Sequence, residues 1–196
     1  MNTMLRDSDI RPALRRLVRE LEAGAADSVV IEELGLSKGA VRVDVAVING
    51  IMHAYEIKSD ADSLRRLGMQ AAHYGKCFDR VSLVLGSRHV ELARKAVPSW
   101  WGLLRVTPGE NGPVIRTVRF CRRNPSREAR ALIELLWREE TLALLERRGF
   151  AKGLRSKPRE VLWDRAAEVL ALEEISDAVR AHLKANAGRI GLSVPY

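Results

Sequence analysis

The sequence predicts an α/β fold, a mixed β-sheet with helices on both faces, followed by a region of helices alone. Three observations predict it. Short β-branched runs alternate with helical patterns as far as Phe120. After Asn124-Pro125 only helical periodicity remains. The hydrophobic fraction, 46% of 196 residues, suits a chain that can bury a core.

Residues 9–23 read as an amphipathic helix, with Ile10, Leu14, Leu17, Val18 and Leu21 on one face and Arg15, Arg16, Arg19 and Glu20 on the other. Residues 28–33 are β-branched and then acidic, and Gly35 and Gly39 punctuate a loop. Residues 41–48 and 52–57 are strands around an Asn49-Gly50 turn signal. Ser59-Asp60-Ala61-Asp62 offers caps for a helix over 63–78, with Leu64, Leu67, Ala71 and Phe78 as its apolar stripe. Residues 81–85 form a continuous apolar run ended by Gly86, the pattern of a buried strand. Ser87 caps a helix that runs to Val97 and is stopped by Pro98. Residues 101–106 and 114–120 complete the sheet. Helices are expected over 126–148, 158–171 and 173–186, with a fraying tail after Gly188. The organisation is a core over 1–123 and a helical extension over 124–196.

The formal net charge of +8 points to an anionic partner, with nucleic acid ahead of a membrane surface. Cys77 and Cys121 are far apart and outside any metal-ligand spacing, so they read as free thiols of a reducing compartment. There is no leader-like N-terminus, and no apolar run approaches the roughly 18 residues of a membrane span. A cytoplasmic protein is expected. The phosphate-loop, dinucleotide and serine-nucleophile motifs are absent.

The chemistry-bearing stretch is Arg42-Val43-Asp44-Val45-Ala46, then Tyr55-Glu56-Ile57-Lys58. Strand side chains alternate, so Val41, Val43, Val45 and Val47 share one face and Arg42, Asp44 and Ala46 the other. Glu56 and Lys58 point the same way. The turn decides whether Asp44 joins them. A two-residue Asn49-Gly50 loop puts Glu56 on the opposite face. A three-residue loop, Ile48-Asn49-Gly50 with Gly50 left-handed, pairs Asp44 with Ala54 and leaves Glu56 diagonal to it, with Cβ atoms roughly 7–8 Å apart. The three-residue loop is expected, because it lets both carboxylates meet one hard cation, Mg²⁺ or Mn²⁺, beside Lys58. The Ile57 carbonyl is a further candidate ligand. Such a set suits phosphodiester cleavage. The plainer reading makes these acids surface charges of an edge strand. Their place inside otherwise apolar strands weighs against it, because an unpaired buried charge costs several kcal/mol.

An Asp on one strand, Glu-x-Lys on the next, then a helix with Gln70-Ala71-Ala72-His73-Tyr74 resembles the PD-(D/E)XK nuclease superfamily, in a little-characterised, bacterial and phage-associated, RecB-like branch. The resemblance spans roughly residues 10–120, and Val43 stands where the name-giving proline would be. It implies a restriction-endonuclease-like sheet and a Mg²⁺- or Mn²⁺-dependent nuclease, acting on DNA more than RNA. It implies Asp44 and Glu56 as metal ligands, Lys58 as the catalytic lysine, and an acid from the preceding segment, Glu33 or else Glu32. Gln70 and Tyr74 would support the site; by helical spacing they lie off the Leu64–Leu67–Ala71 stripe. The alternative on the same fold is a catalytically idle nucleic-acid-binding or regulatory module.

Residues 147–159 hold Arg147, Arg148, Lys152, Arg155, Lys157 and Arg159 with no acid. With the amides of Gly149 and Gly153 they could track a phosphate backbone. Arg116, Arg119, Arg122 and Arg123 form a second basic cluster.

Overall fold

The computed structural model describes residues 4–25, 27–190 and 192–193, the last two as backbone. Helix α1 (Asp7–Leu21) leads into strand β1 (Val29–Leu36), a left-handed turn at Ser37–Gly39, β2 (Val41–Ile48) and β3 (Met52–Lys58). Then come α2 (Leu67–Cys77), β4 (Arg80–Gly86), α3 (Val90–Ala96), β5 (Gly102–Thr107) and β6 (Val114–Arg119). Helices α4 (Ala129–Ile133), α5 (Arg138–Arg147), α6 (Arg159–Val169), α7 (Leu172–Ala185) and α8 (Ala187–Ile190) follow, and β7 (Leu192–Ser193) closes the sheet. The sheet is mixed, in the order β6-β5-β4-β3-β2-β1-β7, with β3, β4 and β5 parallel and the other pairs antiparallel.

The expected α/β architecture is present. On one face α1 lays Ile10, Leu14 and Val18 against Val45, Val47, Tyr55 and Ile57. On the other face α2, α3 and the C-terminal helices share one core with Ala46, Ile48, Ala54, Leu83 and Leu103. Burying each large aliphatic side chain there contributes about 1.5–3 kcal/mol. Leu21, expected on the buried stripe of α1, is 63% exposed. Among the described residues no helix is long and apolar enough to cross a membrane.

Several local expectations are corrected. Residues 29–36, read as a short acidic stretch and a loop, form β1, because the pairing of β1 with β2 carries Gly35 opposite Arg42. Helix α2 starts at Leu67; Ser59 to Asp62 form a side-chain-closed turn instead of a cap, with Asp62 Oδ2 accepting the Ser59 N–H at 2.8 Å. The single helix expected over 126–148 is broken, since α5 restarts after Trp137 in extended conformation. The expected tail is the short α8 and the two-residue β7, with Gly191 and residues 194–196 outside the described residues.

A buried lock joins sheet and helices. The side chains of Arg127 and Asp79 are each 4% exposed and pair at 3.0 Å, while Asp79 Oδ2 accepts the Met52 N–H at 2.8 Å. The Asn124 amide donates to the Gly75 and Phe78 carbonyls at 2.6 and 2.8 Å. Removing one partner of such a pair leaves an uncompensated charge, so Arg127→Met is expected to cost about 3–5 kcal/mol in urea unfolding. A loss under about 1 kcal/mol would mean that the lock contributes little net stability.

Candidate active site

The hairpin sets the site. Strands β2 and β3 pair Val45 with Tyr55, Ala46 with Ala54, Val47 with His53 and Ile48 with Met52. The loop is therefore Asn49-Gly50-Ile51: three residues long as expected, but one position later. Gly50 is not left-handed; the Asn49 side chain closes the turn by accepting the Ile51 N–H at 2.9 Å. Asp44 thus lies one step beyond the Val45–Tyr55 pair, across from Glu56 and not from Ala54.

The ladder opens at that step. Asp44 Oδ2 accepts the Ile57 N–H at 2.7 Å, so a side chain takes the place of a strand carbonyl. Between β1 and β2 the pairing passes from Glu32–Val45 to Leu34–Val43, and Glu33 between them has φ 59°. A left-handed non-glycine residue costs about 1–3 kcal/mol and collects at functional sites. The uniform alternation expected along β2 fails here as well. Val41 and Val43 pack in the larger core, and Val45 and Val47 pack in the smaller one beneath α1.

Glu33, Asp44, Glu56, Ile57, Lys58 and Gln70 all line one cleft of about 450 Å³. Glu56, 2% exposed, is its anchor. Its Oε1 accepts from Lys58 Nζ at 2.6 Å and from Gln70 Nε2 at 2.5 Å. The Tyr74 hydroxyl lies 2.6 Å from its Oε2 and 2.8 Å from the Arg42 carbonyl, with one proton for the two acceptors. Tyr74 stacks on Trp101 at 6.0 Å, and Phe78 meets it edge-on. Gln70 and Tyr74 do not lie off the apolar stripe of α2, as the spacing suggested; they are on its buried face with Leu67 and Cys77. A polar pair can occupy that face because Glu56 satisfies it.

Burial raises the pKa of Asp44, against the lowering effects of the Ile57 N–H and the charges of Arg11 and Lys58. Burial and the neighbouring Asp44 charge raise Glu56, with Lys58 and Tyr74 opposing. Burial, then the Glu56 charge, raises the Tyr74 phenol.

Sequence reasoning missed Arg11. Its position on the polar side of an amphipathic helix reads as solvated surface, yet the side chain is 17% exposed and points at the acids of the sheet. It lies 3.2 Å from Asp44 Oδ1 and 3.3 Å from Glu33 Oε1. Burial works to lower its pKa, but Asp7, Asp44 and Glu33 raise it above the ordinary value. Arg42 takes the other Glu33 oxygen at 2.5 Å. Glu32, the alternative to Glu33, turns to α1, where Arg15 holds both its oxygens at 2.5 and 2.6 Å. Glu33 is therefore the acid at the cleft.

The donor set is all oxygen, which suits a hard cation. Among the described residues no three acidic, histidine or cysteine side chains are gathered as a ready-made ion site. Two carboxylates with water suffice for Mg²⁺. The Gln70 Oε1 is buried and has no hydrogen-bond partner, an acceptor left over at the cleft wall. Asp44 and Glu56 offer oxygen donors of the kind expected for such an ion, with Ile57 beside them in the cleft, while Glu33 is held by two arginines.

The six cations expected to grip a phosphate backbone are all exposed. Arg148 pairs with Glu174, Arg155 with Glu146 at 2.9 Å and Arg159 with Glu160 at 3.3 Å. Arg147, Lys152 and Lys157 make no ion pair with a described residue. Gly149 and Gly153 are left-handed, with φ 76° and 75°. The Gly149 amide is used internally, donating to Glu146 at 3.0 Å, so it is not offered to an anion. The loop joins the cleft through Trp163. Arg159 and Lys38 lie over that ring at 5.1 and 5.6 Å, and Gly39, next to Lys38, lines the cleft. The second basic cluster is partly structural, because Arg119 and Arg122 donate to the carbonyls of Trp101 and Ser99.

Residues 3–189 match the family model described as bacteriophage P4 protein cII. Protein cII of Enterobacteria phage P4 is 29% identical over 126 residues, which are 63% of this chain and 47% of that protein. The chain thus matches about half the length of this curated relative. A solved structure, a protein of unknown function (SPO1766) from Silicibacter pomeroyi, aligns with a TM-score of 0.43 at 21% identity, covering 74% of this chain and 94% of that one.

The raised pKa of Asp44 has a consequence for stability. In the unfolded chain an aspartate ionises near 3.9. Between that value and the higher folded value, the fold keeps a proton that the unfolded chain has lost. Above the folded value the full cost of burying the charge is felt. Asp44→Asn is expected to melt above wild type at pH 7, with the gap closing as pH falls toward about 4. An equal or lower melting temperature at pH 7 would mean that Arg11 and the Ile57 N–H offset the burial cost completely.

Proposed function

The chain belongs to the bacteriophage P4 protein cII family, and from the carboxylate–lysine cleft it carries we propose that it is a metal-dependent phosphodiester hydrolase of nucleic acid, with DNA the preferred substrate. The supporting observation is the convergence of Asp44, Glu56 and Lys58 on one cleft, with the Ile57 backbone between them. It is the arrangement that the resemblance to PD-(D/E)XK nucleases implies.

In this reading Asp44, Glu56 and the Ile57 carbonyl hold Mg²⁺ or Mn²⁺, with Glu33 at the rim. A hard cation there supplies Lewis acidity toward a phosphate and makes nearby water more acidic. Lys58 sets an ammonium beside the charge that develops on the scissile phosphate. Gln70 and Tyr74 fix the Glu56 carboxylate, so that it neither rotates away nor pairs with Lys58 alone. Arg147, Arg148, Lys152, Arg155, Lys157 and Arg159 supply sequence-independent attraction for the backbone. The unpaired Cys77 and Cys121 fit a reducing, cytoplasmic setting.

One observation favours the second reading, an idle nucleic-acid-binding or regulatory module. Arg11 and Arg42 already occupy Glu33, and Arg11 also occupies Asp44. Cleavage assays separate the two. Plasmid and single-stranded DNA are incubated with Mg²⁺, Mn²⁺ or EDTA. Metal-dependent cleavage is expected, with Asp44→Ala and Lys58→Ala each lowering it by about 10²-fold or more. Binding without cleavage under any metal, unchanged in both variants, supports the module instead.

The loop has its own measurement. Lys152→Gln with Lys157→Gln is expected to flatten the slope of log K against log salt by roughly 0.7–0.9 for each phosphate contact removed. An unchanged slope would rule these lysines out of the interface.

A further inference from the structure

Arg11 stands where a cation is called for, but it comes from α1 and not from the strands. Its Nη2 lies 3.2 Å from Asp44 Oδ1, and its Nη1 donates to the Asp44 carbonyl at 3.2 Å. Nη1 also lies 3.3 Å from Glu33 Oε1. From the other side Asp7, one helical turn earlier, takes Nε and Nη2 at 3.0 and 3.2 Å.

The Asp44 oxygen that Arg11 holds is the informative one. Oδ2 is committed to the Ile57 N–H, which leaves Oδ1 as the oxygen with freedom to take a cation. Arg11 and a divalent ion therefore compete for one atom. Both cannot sit there, since like charges at that distance in a partly buried cleft repel by several kcal/mol. The guanidinium has somewhere else to go, because Asp7 already holds it on the same helix.

We propose that Arg11 is a resident counter-cation of the carboxylate cleft: a divalent ion displaces it from Asp44, and its fork then rests on Asp7 at the cleft mouth. Arg11 is a positioning residue in this account. It keeps the acids compensated until metal arrives. The inference rests on the metal reading of the preceding section. A fixed structural ion pair would behave differently: Arg11 would stay on Asp44 with the metal bound, and its resonance would not move on saturation.

The test uses Mn²⁺ alone, without nucleic acid. Free Mn²⁺ is followed by electron paramagnetic resonance as the full chain is titrated, for wild type and for Arg11→Met, which keeps an unbranched side chain and removes the charge. Arg11→Met is expected to bind Mn²⁺ about tenfold more tightly or better. A second measurement needs no variant. On titrating Mg²⁺ into wild type, the Arg11 Nε–H resonance is expected to shift at the concentration that saturates the site. Equal or weaker Mn²⁺ binding by folded Arg11→Met overturns the proposal, and so does an unmoved Arg11 resonance in metal-saturated wild type; in both cases the metal site survives. Failure of both proteins to bind Mn²⁺ removes the metal site itself, and this proposal with it.

Discussion

Two neighbouring carboxylates, Glu56 buried and Asp44 half-buried, govern this molecule. Asp44 and Glu56 face each other where the β2–β3 ladder opens, and burial opposes the charge on both. A fold can keep such a pair only by surrounding it with donors. Three elements near the cleft contribute them. Strand β3 gives the Ile57 N–H and the Lys58 ammonium, α2 gives Gln70 and Tyr74, and α1 gives Arg11. Helices on opposite faces of the sheet thus serve the same row of acids.

The demand reaches into the packing. Tyr74 can hold Glu56 because Trp101 and Phe78 fix its ring, and Trp101 is fully buried just before β5. Glu33 reaches the cleft through a left-handed backbone in mid-strand, a cost that a purely structural β1 has no reason to carry. The C-terminal helices meet the same region through Lys38, which bonds Glu160 at 3.0 Å and lies over Trp163. A cleft of acids and a surface of cations are therefore joined through one turn.

Much of the sheet and the Asp44 and Glu56-x-Lys58 set was readable in the chain, because each rests on a local period; Gln70 and Tyr74 came from the resemblance, and helical spacing alone put them off the buried face. Four residues along a helix and two along a strand are fixed distances. What was misread depends on tertiary partners. Strand β1 was hidden because Glu32 and Glu33 interrupt its apolar pattern, and the arginines that compensate them come from α1 and β2. Arg11 carries no signal on its own helix, where it belongs to the polar face. The hairpin loop slipped by one residue because Asn49 closes it with its side chain, which removed the need for a left-handed Gly50. The even register survived that slip, so the two carboxylates still came to one cleft.

Membership in the phage P4 cII family sets the relationship of the chain, and the cleft suggests what the chain does there. The central claim is that Asp44 and Glu56 together hold a hard cation. Anomalous diffraction at the manganese edge from a Mn²⁺-soaked crystal tests it most directly. The account predicts a peak shared by the Asp44 and Glu56 carboxylates. A crystal saturated with Mn²⁺ that shows no peak between them, with Arg11 still on Asp44, would contradict it.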